Sequence, residues 1–378
     1  MEQVYKGKRV LITGAAGTIG TVLTSKLLRL NVKEVKALDN NESELFYLNE
    51  KHRKESRFNG FFADIRDLDR LRYLARNVDI IIHTAAMKHV IISEQSPFEA
   101  VRTNAEGTLN VISAAIESAT VSRVIYTSSD KAVNSTNVMG TTKLLGERLI
   151  TSASNLKGSS NIIFSSTRFG NVIGSRGSVL PIFYSQIKEG RKLTITDNRM
   201  SRFFMTADEA VKLVIEASLL AKGGEVFITK MPVMRIIDLA SAMIELVAPK
   251  FNRHPEDIEI EFIGPKPGEK LYEELMTQDE TERAYELKHM FVVKPAMLPL
   301  YEEIDYSNYE TLVSKNVTKP YISSSESFMS VAEIKDYLLS HFLLDCFKYK
   351  GSTPNNIIKH VIPITNKEVN QDYLALTL

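Results

Sequence analysis

Short apolar runs alternate with stretches of helical period along the first 230 residues. Arg9-Val-Leu-Ile-Thr13, Glu34-Val-Lys-Ala-Leu38, residues 58–63, 78–82 and 121–126, and Ile162-Ile-Phe-Ser-Ser-Thr-Arg168 read as six buried strands. Residues 21–30, 97–118 and 137–154 repeat apolar side chains at helical spacing. Strand followed by helix, several times over, predicts an α/β fold with a doubly wound parallel sheet. No short-period repeat or low-complexity segment interrupts it.

The first strand runs into Gly14-Ala-Ala16-Gly17-Thr18-Ile19-Gly20, and a helical pattern follows. Glycines at a strand-to-helix turn let the backbone approach a pyrophosphate, which then rests on the helix N-terminus. Such a turn is a weak signal by itself, but here it has the strand–turn–helix context the motif requires. The second strand ends at Asp39-Asn40, where an acid accepts hydrogen bonds from adenosine ribose hydroxyls and favours NAD over NADP. A turn or cap role for Asp39 is the competing reading. Asp64 and Ile65 follow the third strand as candidate contacts for the adenine edge. Ala85 and Ala86 after the fourth are small enough for backbone to lie against a cofactor, and Lys88, His89 and Asn104 come next. Residues 1–175, with later segments around 200–230, are therefore expected to form a Rossmann-like NAD-binding domain. Residues 176–295 would form a smaller C-terminal substrate-binding lobe and residues 296–378 an extension without assigned chemistry, in which Ser323-Ser-Ser-Glu-Ser reads as a linker.

The densest chemistry lies where the fifth strand stops. Ser129, Asp130 and Lys131 stand at the strand end, and Met139 and Lys143, four apart, share one face of the next helix. A hydroxyl, a carboxylate and two amines at the carboxyl end of a strand can polarise a substrate oxygen and move protons. Later glycine-rich turns carry Asn171 and Arg176, and Lys266 with Glu269, and Arg202 lies between them in Met200–Thr206. Cations on such turns suit a diphosphate, so a second phosphorylated ligand is expected there.

With 47 Lys and Arg against 46 Asp and Glu, the chain has no electrostatic footprint for nucleic acid. The single Cys346 excludes an internal disulfide framework and fits a reducing compartment. No apolar run approaches a membrane span and the N-terminus lacks a signal-peptide core, so a cytoplasmic protein is expected. No metal-ligand cluster stands out.

Thr13–Gly20, His83-Thr-Ala-Ala-Met-Lys-His-Val90, Ser129-Asp-Lys-Ala132, Thr167-Arg-Phe-Gly-Asn-Val172, Ser201-Arg-Phe-Phe-Met-Thr206 and Pro267-Gly-Glu-Lys-Leu-Tyr-Glu-Glu-Leu275 together resemble the extended short-chain dehydrogenase/reductases. Among these they look like the 4,6-dehydratases of polysaccharide biosynthesis that act on UDP-N-acetylglucosamine. The resemblance implies C4 oxidation by NAD, with NADP as a variant, C5 proton removal by Lys131, protonation of the departing C6 hydroxyl by Asp130, and hydride return to C6. It gives Ser129 the O4 oxygen and Lys143 the nicotinamide ribose. Burial and the positive charges of Lys143 and the nicotinamide are expected to push Lys131 towards its neutral form. Two departures stand out. The superfamily's Tyr is Met139 here, as in one branch of these dehydratases, and a thioether handles no proton at neutral pH. Lys266 stands where the family often has Arg. A C4 epimerase and a non-catalytic NAD-binding protein are the rival functions, and the Asp130-Lys131 doublet argues against both. Surplus apolar residues on the helices at 97–118 and 137–154 predict a homodimer or higher homo-oligomer.

Overall fold

A computed structural model describes residues 2–157, 160–297 and 304–344. Cys346 and the extension past residue 344 lie outside the described residues. The main sheet contains the six expected strands: β1 (Arg9–Thr13), β2 (Glu34–Asp39), β3 (Phe58–Phe62), β4 (Ile80–His83), β5 (Arg123–Thr127) and β6 (Ile163–Arg168). With β7 (Val226–Thr229) they pair in parallel in the order β3-β2-β1-β4-β5-β6-β7. The order reverses between β1 and β4, so the sheet opens a crevice at the carboxyl ends of these two strands. Three antiparallel strands, β8 (Ala284–Leu287), β9 (Met290–Val293) and β10 (Leu312–Ser314), extend the edge past β7.

Helices cover both faces because the strands are apolar on both. On β1, Ile12 packs into one core with Leu23 and Leu27 of helix Thr18–Arg29 and Val211 and Val214 of helix Ala207–Leu220. Its neighbour Leu11 points to the other face and packs with Leu74, Val111 and Ile150, which come from helices Leu68–Ala75, Gly107–Glu117 and Val138–Leu156. The long helix expected at 97–118 is real but interrupted: Pro97–Val101 runs into a π turn, Arg102–Glu106, before Gly107–Glu117. That wide turn aims Asn104 inward. Asn137 caps helix Val138–Leu156, its side chain accepting from the Gly140 amide.

Residues 1–335 form one compact unit. Within it, Asn171–Val172, Ser201–Met205 and Val233–Arg235 make a three-stranded sheet, and Leu193–Ile195 pairs with Ile260–Phe262. The serine run at 323 is not a linker. Tyr321–Ile322 pairs antiparallel with Glu274–Met276, and Ser323 is fully buried, bonding through its hydroxyl to Ser201 and the Glu273 amide. Serine-rich composition hid this, because the Ser323 hydroxyl has buried partners rather than water.

Arg168, at the end of β6, is also fully buried. Its guanidinium meets Glu147 at 2.5 Å, Glu280 at 2.9 Å and the Leu275 carbonyl at 2.7 Å. One cation thus joins helix Val138–Leu156, β6 and the segment around residue 275. Arg168→Met strands two buried carboxylates and is expected to cost about 3–5 kcal/mol. Urea unfolding checks this, and a loss below about 1 kcal/mol would show that the triad is not a structural anchor.

Candidate active site

The glycine turn has the shape a dinucleotide needs. Gly14 has φ +69°, and a Cβ there would stand 2.7 Å from the Ala85 backbone; one on Gly20 would press into the Gly14 carbonyl. Helix Thr18–Arg29 starts at Gly17 with no side-chain cap and no acid in its first turn. Its free amides and positive dipole end fit a diphosphate. Asp39 closes the turn from below: its two oxygens accept from the Ala16 and Asn41 amides, both at 2.9 Å. The expected ribose acceptor is therefore first a brace for the glycine turn, with its remaining lone pairs and its charge left for a ribose. Asn41, not Asp39, caps helix Glu42–Lys51, and Asn40 donates to Asp64 at 3.2 Å. Asp64 is held below the usual carboxylate range by the Arg66 guanidinium.

Two of the expected cofactor contacts have partners within the chain. The Ile65 side chain is buried in the core against Gly107, and its carbonyl accepts from Asn110. Asn104 is buried and binds the Met87 amide and carbonyl, at 2.8 and 3.0 Å, and the Thr142 hydroxyl at 2.9 Å. Both of its amide protons are used, and it clamps the loop carrying Ala85, Ala86, Lys88 and His89 to helix Val138–Leu156.

At the end of β5, Asp130 is wholly buried. Its Oδ1 accepts from Ser129 Oγ at 2.8 Å, the Lys131 amide at 2.8 Å and Lys131 Nζ at 3.0 Å, while Oδ2 is buried without a partner. Lys131 also donates to Asn171 Oδ1 at 3.2 Å and lies 3.7 Å from Glu273 Oε1. Burial alone pulls the Lys131 amine down, but Asp130 and Glu273 outweigh it and hold the amine above its ordinary value, with Arg202 opposing. This corrects the expectation of a base made neutral by burial and positive neighbours: its nearest charged neighbours are carboxylates. Lys143 behaves the other way. Burial brings its amine down to about 7, against the pull of Glu147, and Nζ donates to the Thr127 carbonyl at 2.6 Å, over the Tyr126 ring. Met139 is buried on the same helix face.

The later turns converge on this strand end, but not all as phosphate ligands. Arg202 is buried and donates to the Ser201, Lys270 and Leu271 carbonyls, with Nε 3.5 Å from Glu273. A guanidinium so committed has little left for a diphosphate. Arg176 reaches the Ala16 carbonyl and pairs with Glu44 at 2.7 Å, which puts it beside the glycine turn. Lys88 donates to the Arg176 carbonyl, and His89 packs against Gly177. Lys266 and Glu269 remain exposed on a turn whose Gly268 carbonyl accepts from Thr136 and Asn137 at the start of helix Val138–Leu156.

Two residues escaped the sequence reading. Glu273 sits inside the Pro267–Leu275 run, where nothing marks one acid among three as buried. His83 ends β4 and is buried. Thr108 gives its hydroxyl proton to the Asn104 carbonyl at 2.7 Å, so His83 Nε2 donates to Thr108 at 3.1 Å and Nδ1 accepts from Thr13 at 2.7 Å. Thr13 in turn faces the Ala85 amide at 3.4 Å. Only a neutral imidazole fits this chain without rearrangement. Its place at the β4 end was the available signal.

The fold and these residues define an α/β protein whose glycine turn and buried Asp130–Lys131 ion pair stand at the carboxyl ends of a parallel sheet. The chain belongs to the polysaccharide biosynthesis protein family, whose model matches residues 10–295. It is 47% identical over 334 residues to a protein of Methanocaldococcus jannaschii named only as an uncharacterized membrane protein, covering 88% of this chain and 96% of that one. It is 39% identical over 310 residues to the inverting UDP-N-acetylglucosamine 4,6-dehydratase of Campylobacter jejuni, covering 80% of this chain and 88% of that enzyme. Among solved structures, Pen from Bacillus thuringiensis superposes with a TM-score of 0.82 at 45% identity, covering 90% of this chain and 99% of that one. No helix among the described residues is long and apolar enough to cross a membrane.

Burial, with Lys143 nearby, lowers His83 from 6.5 to about 3. Between these two values the unfolded chain binds a proton that the folded one refuses, so stability falls as the pH drops through that window. The slope from this group is roughly 1.4 kcal/mol per pH unit. His83→Gln keeps hydrogen-bonding groups and removes the titration, so its urea midpoint should fall less steeply in acid. Equal slopes for both proteins would show that His83 does not report the pH dependence.

Proposed function

We propose that the protein is a UDP-N-acetylglucosamine 4,6-dehydratase that forms a UDP-4-keto-6-deoxy-hexosamine for surface polysaccharide or glycan synthesis. One observation carries the reading: a buried carboxylate with a free oxygen, Asp130, is hydrogen-bonded through its other oxygen to an amine, Lys131, at the mouth of a dinucleotide cradle. Elimination needs one proton donor and one acceptor side by side. The reading is supported by the named activity of the Campylobacter relative.

A nicotinamide dinucleotide on Gly14–Gly20, Asp39 and Lys143 would take a hydride from sugar C4 and return it to C6. The residues of the chain move the protons. Passing one proton along the 3.0 Å Lys131–Asp130 bond makes a neutral amine and a protonated acid together. Lys131 then removes the C5 proton, acidified by the C4 ketone, and Asp130 protonates the C6 hydroxyl as it leaves as water. Lys131 later returns its proton to C5. Met139 cannot receive the O4 proton, so a water held by Lys143 carries it away and restores the Asp130–Lys131 pair. Ser129, which donates to Asp130, turns to meet O4 when the sugar binds. Lys266, exposed on its turn, lies free to meet the diphosphate.

Incubation with UDP-N-acetylglucosamine and NAD in deuterated water should yield the 4-keto-6-deoxy sugar with deuterium at C5. Absence of both ends this reading, and UDP-N-acetylgalactosamine without water loss identifies C4 epimerisation instead. Lys131→Ala should still produce reduced-nicotinamide absorbance while water loss falls by about 10²–10⁴-fold, the usual scale of a missing acid–base group. Normal turnover would remove Lys131 from the base role.

The same reading includes self-association. Val111, Ile112 and Ile150 cover the sheet, but Phe98, Val101, Leu109 and Leu145 are exposed on the neighbouring helices. A two-fold contact uses one such patch twice. Light scattering should give a mass of two chains or more, and one chain at every concentration would exclude it.

A further inference from the structure

Two acids, not one, hold the Lys131 amine, and they come from distant parts of the chain. Asp130 lies beside Lys131 on the β5 exit, whereas Glu273 arrives from the segment before strand Glu274–Met276, with Oε1 3.7 Å from Nζ. Glu273 is 3% exposed, and its Oε2 is buried without a partner. Its position is heavily specified. Arg202 Nε stands 3.5 Å away, the Glu273 amide donates to Ser323 Oγ at 2.9 Å, and its carbonyl accepts from the Ser323 amide at 2.9 Å. A carboxylate buried beside a cation and a second acid, with one oxygen unpaired, costs stability, and such placements cluster at functional sites.

We propose that Glu273 is a positioning residue for the acid–base pair: it holds the Lys131 amine between two carboxylates and sets the pH at which that amine can act. The inference rests on the dehydratase reading. The charged groups around the amine are Asp130, Glu273 and Arg202, with Lys270 also acting on Glu273. Of these, the two acids favour the ammonium and Arg202 disfavours it. Burial, aided by Asp130, raises the Glu273 carboxyl, and Lys131, Arg202 and Lys270 pull it back. Removing the Glu273 charge therefore leaves Asp130 as the one acid beside the amine, with Arg202 still acting against the ammonium, and Lys131 surrenders its proton at lower pH.

The test is the pH dependence of C5 deuterium incorporation and water loss from UDP-N-acetylglucosamine, with NAD, in the wild type and in Glu273→Gln. The basic limb of the variant, where the Asp130–Lys131 pair loses its shared proton, is expected to move down by about one pH unit or more. Reduced-nicotinamide absorbance from C4 oxidation should stay within about threefold of the wild type, because that step precedes the work of Lys131. A purely structural role lowers the rate without moving the limb. If Glu273→Gln does not fold, Glu273→Asp carries the same test: shortening the side chain draws the carboxylate from the amine, and the limb moves down by less. A limb that stays in place or moves up overturns the proposal. A wild-type protein that incorporates no deuterium and releases no water overturns the dehydratase reading first, and this inference with it.

Discussion

The Arg168 guanidinium is the constraint on which the site depends. It is buried where only full pairing makes a cation tolerable, and its partners belong to three elements that must meet for the chemistry to exist. Glu147 lies one helical turn beyond Lys143, so fixing Glu147 fixes the height of that amine beside β5. The Leu275 carbonyl lies two residues beyond Glu273, so the same guanidinium also fixes the approach of the second acid. Any slippage of helix Val138–Leu156 against β6 would break the pairing and misplace both.

The sheet was legible because period and punctuation agreed: β-branched runs, glycine turns and helical spacing point to one parallel topology. The chemical doublet Asp130-Lys131 was legible for a similar reason, since both residues stand at the end of an unmistakable strand. The later segments were not. Arg202 and Glu273 have the composition of surface turns, and their burial follows from each other's charge, which no local pattern records. Ser323 is a harder case, for its polarity argues for solvent until the partners Ser201 and Glu273 are in place. The role of Asn104 was hidden too, because the loop it clamps is visible only once the π turn has aimed its side chain.

The two amines of the site shift in opposite directions, although burial pulls both down. Lys143 meets a carbonyl and an aromatic face, with Glu147 its one charged helper, and gives up charge readily. Lys131 meets two acids and keeps its proton. Depth below the surface therefore says little about protonation until the neighbours are counted, and here the less buried amine differs from the deeper one by its company.

The span of sequence across the site bears on how the molecule is made. The partners that shape the dinucleotide cradle, from Gly14 to Thr108, lie within the first third of the chain. The clamp on Glu273 waits for Ser323, which closes a loop back to Ser201 across 122 positions. During synthesis from the N-terminus, the glycine turn and its braces emerge well before the residues that clamp Glu273. Long-range closure, rather than formation of the central strands, therefore sets when the clamp on Glu273 is complete.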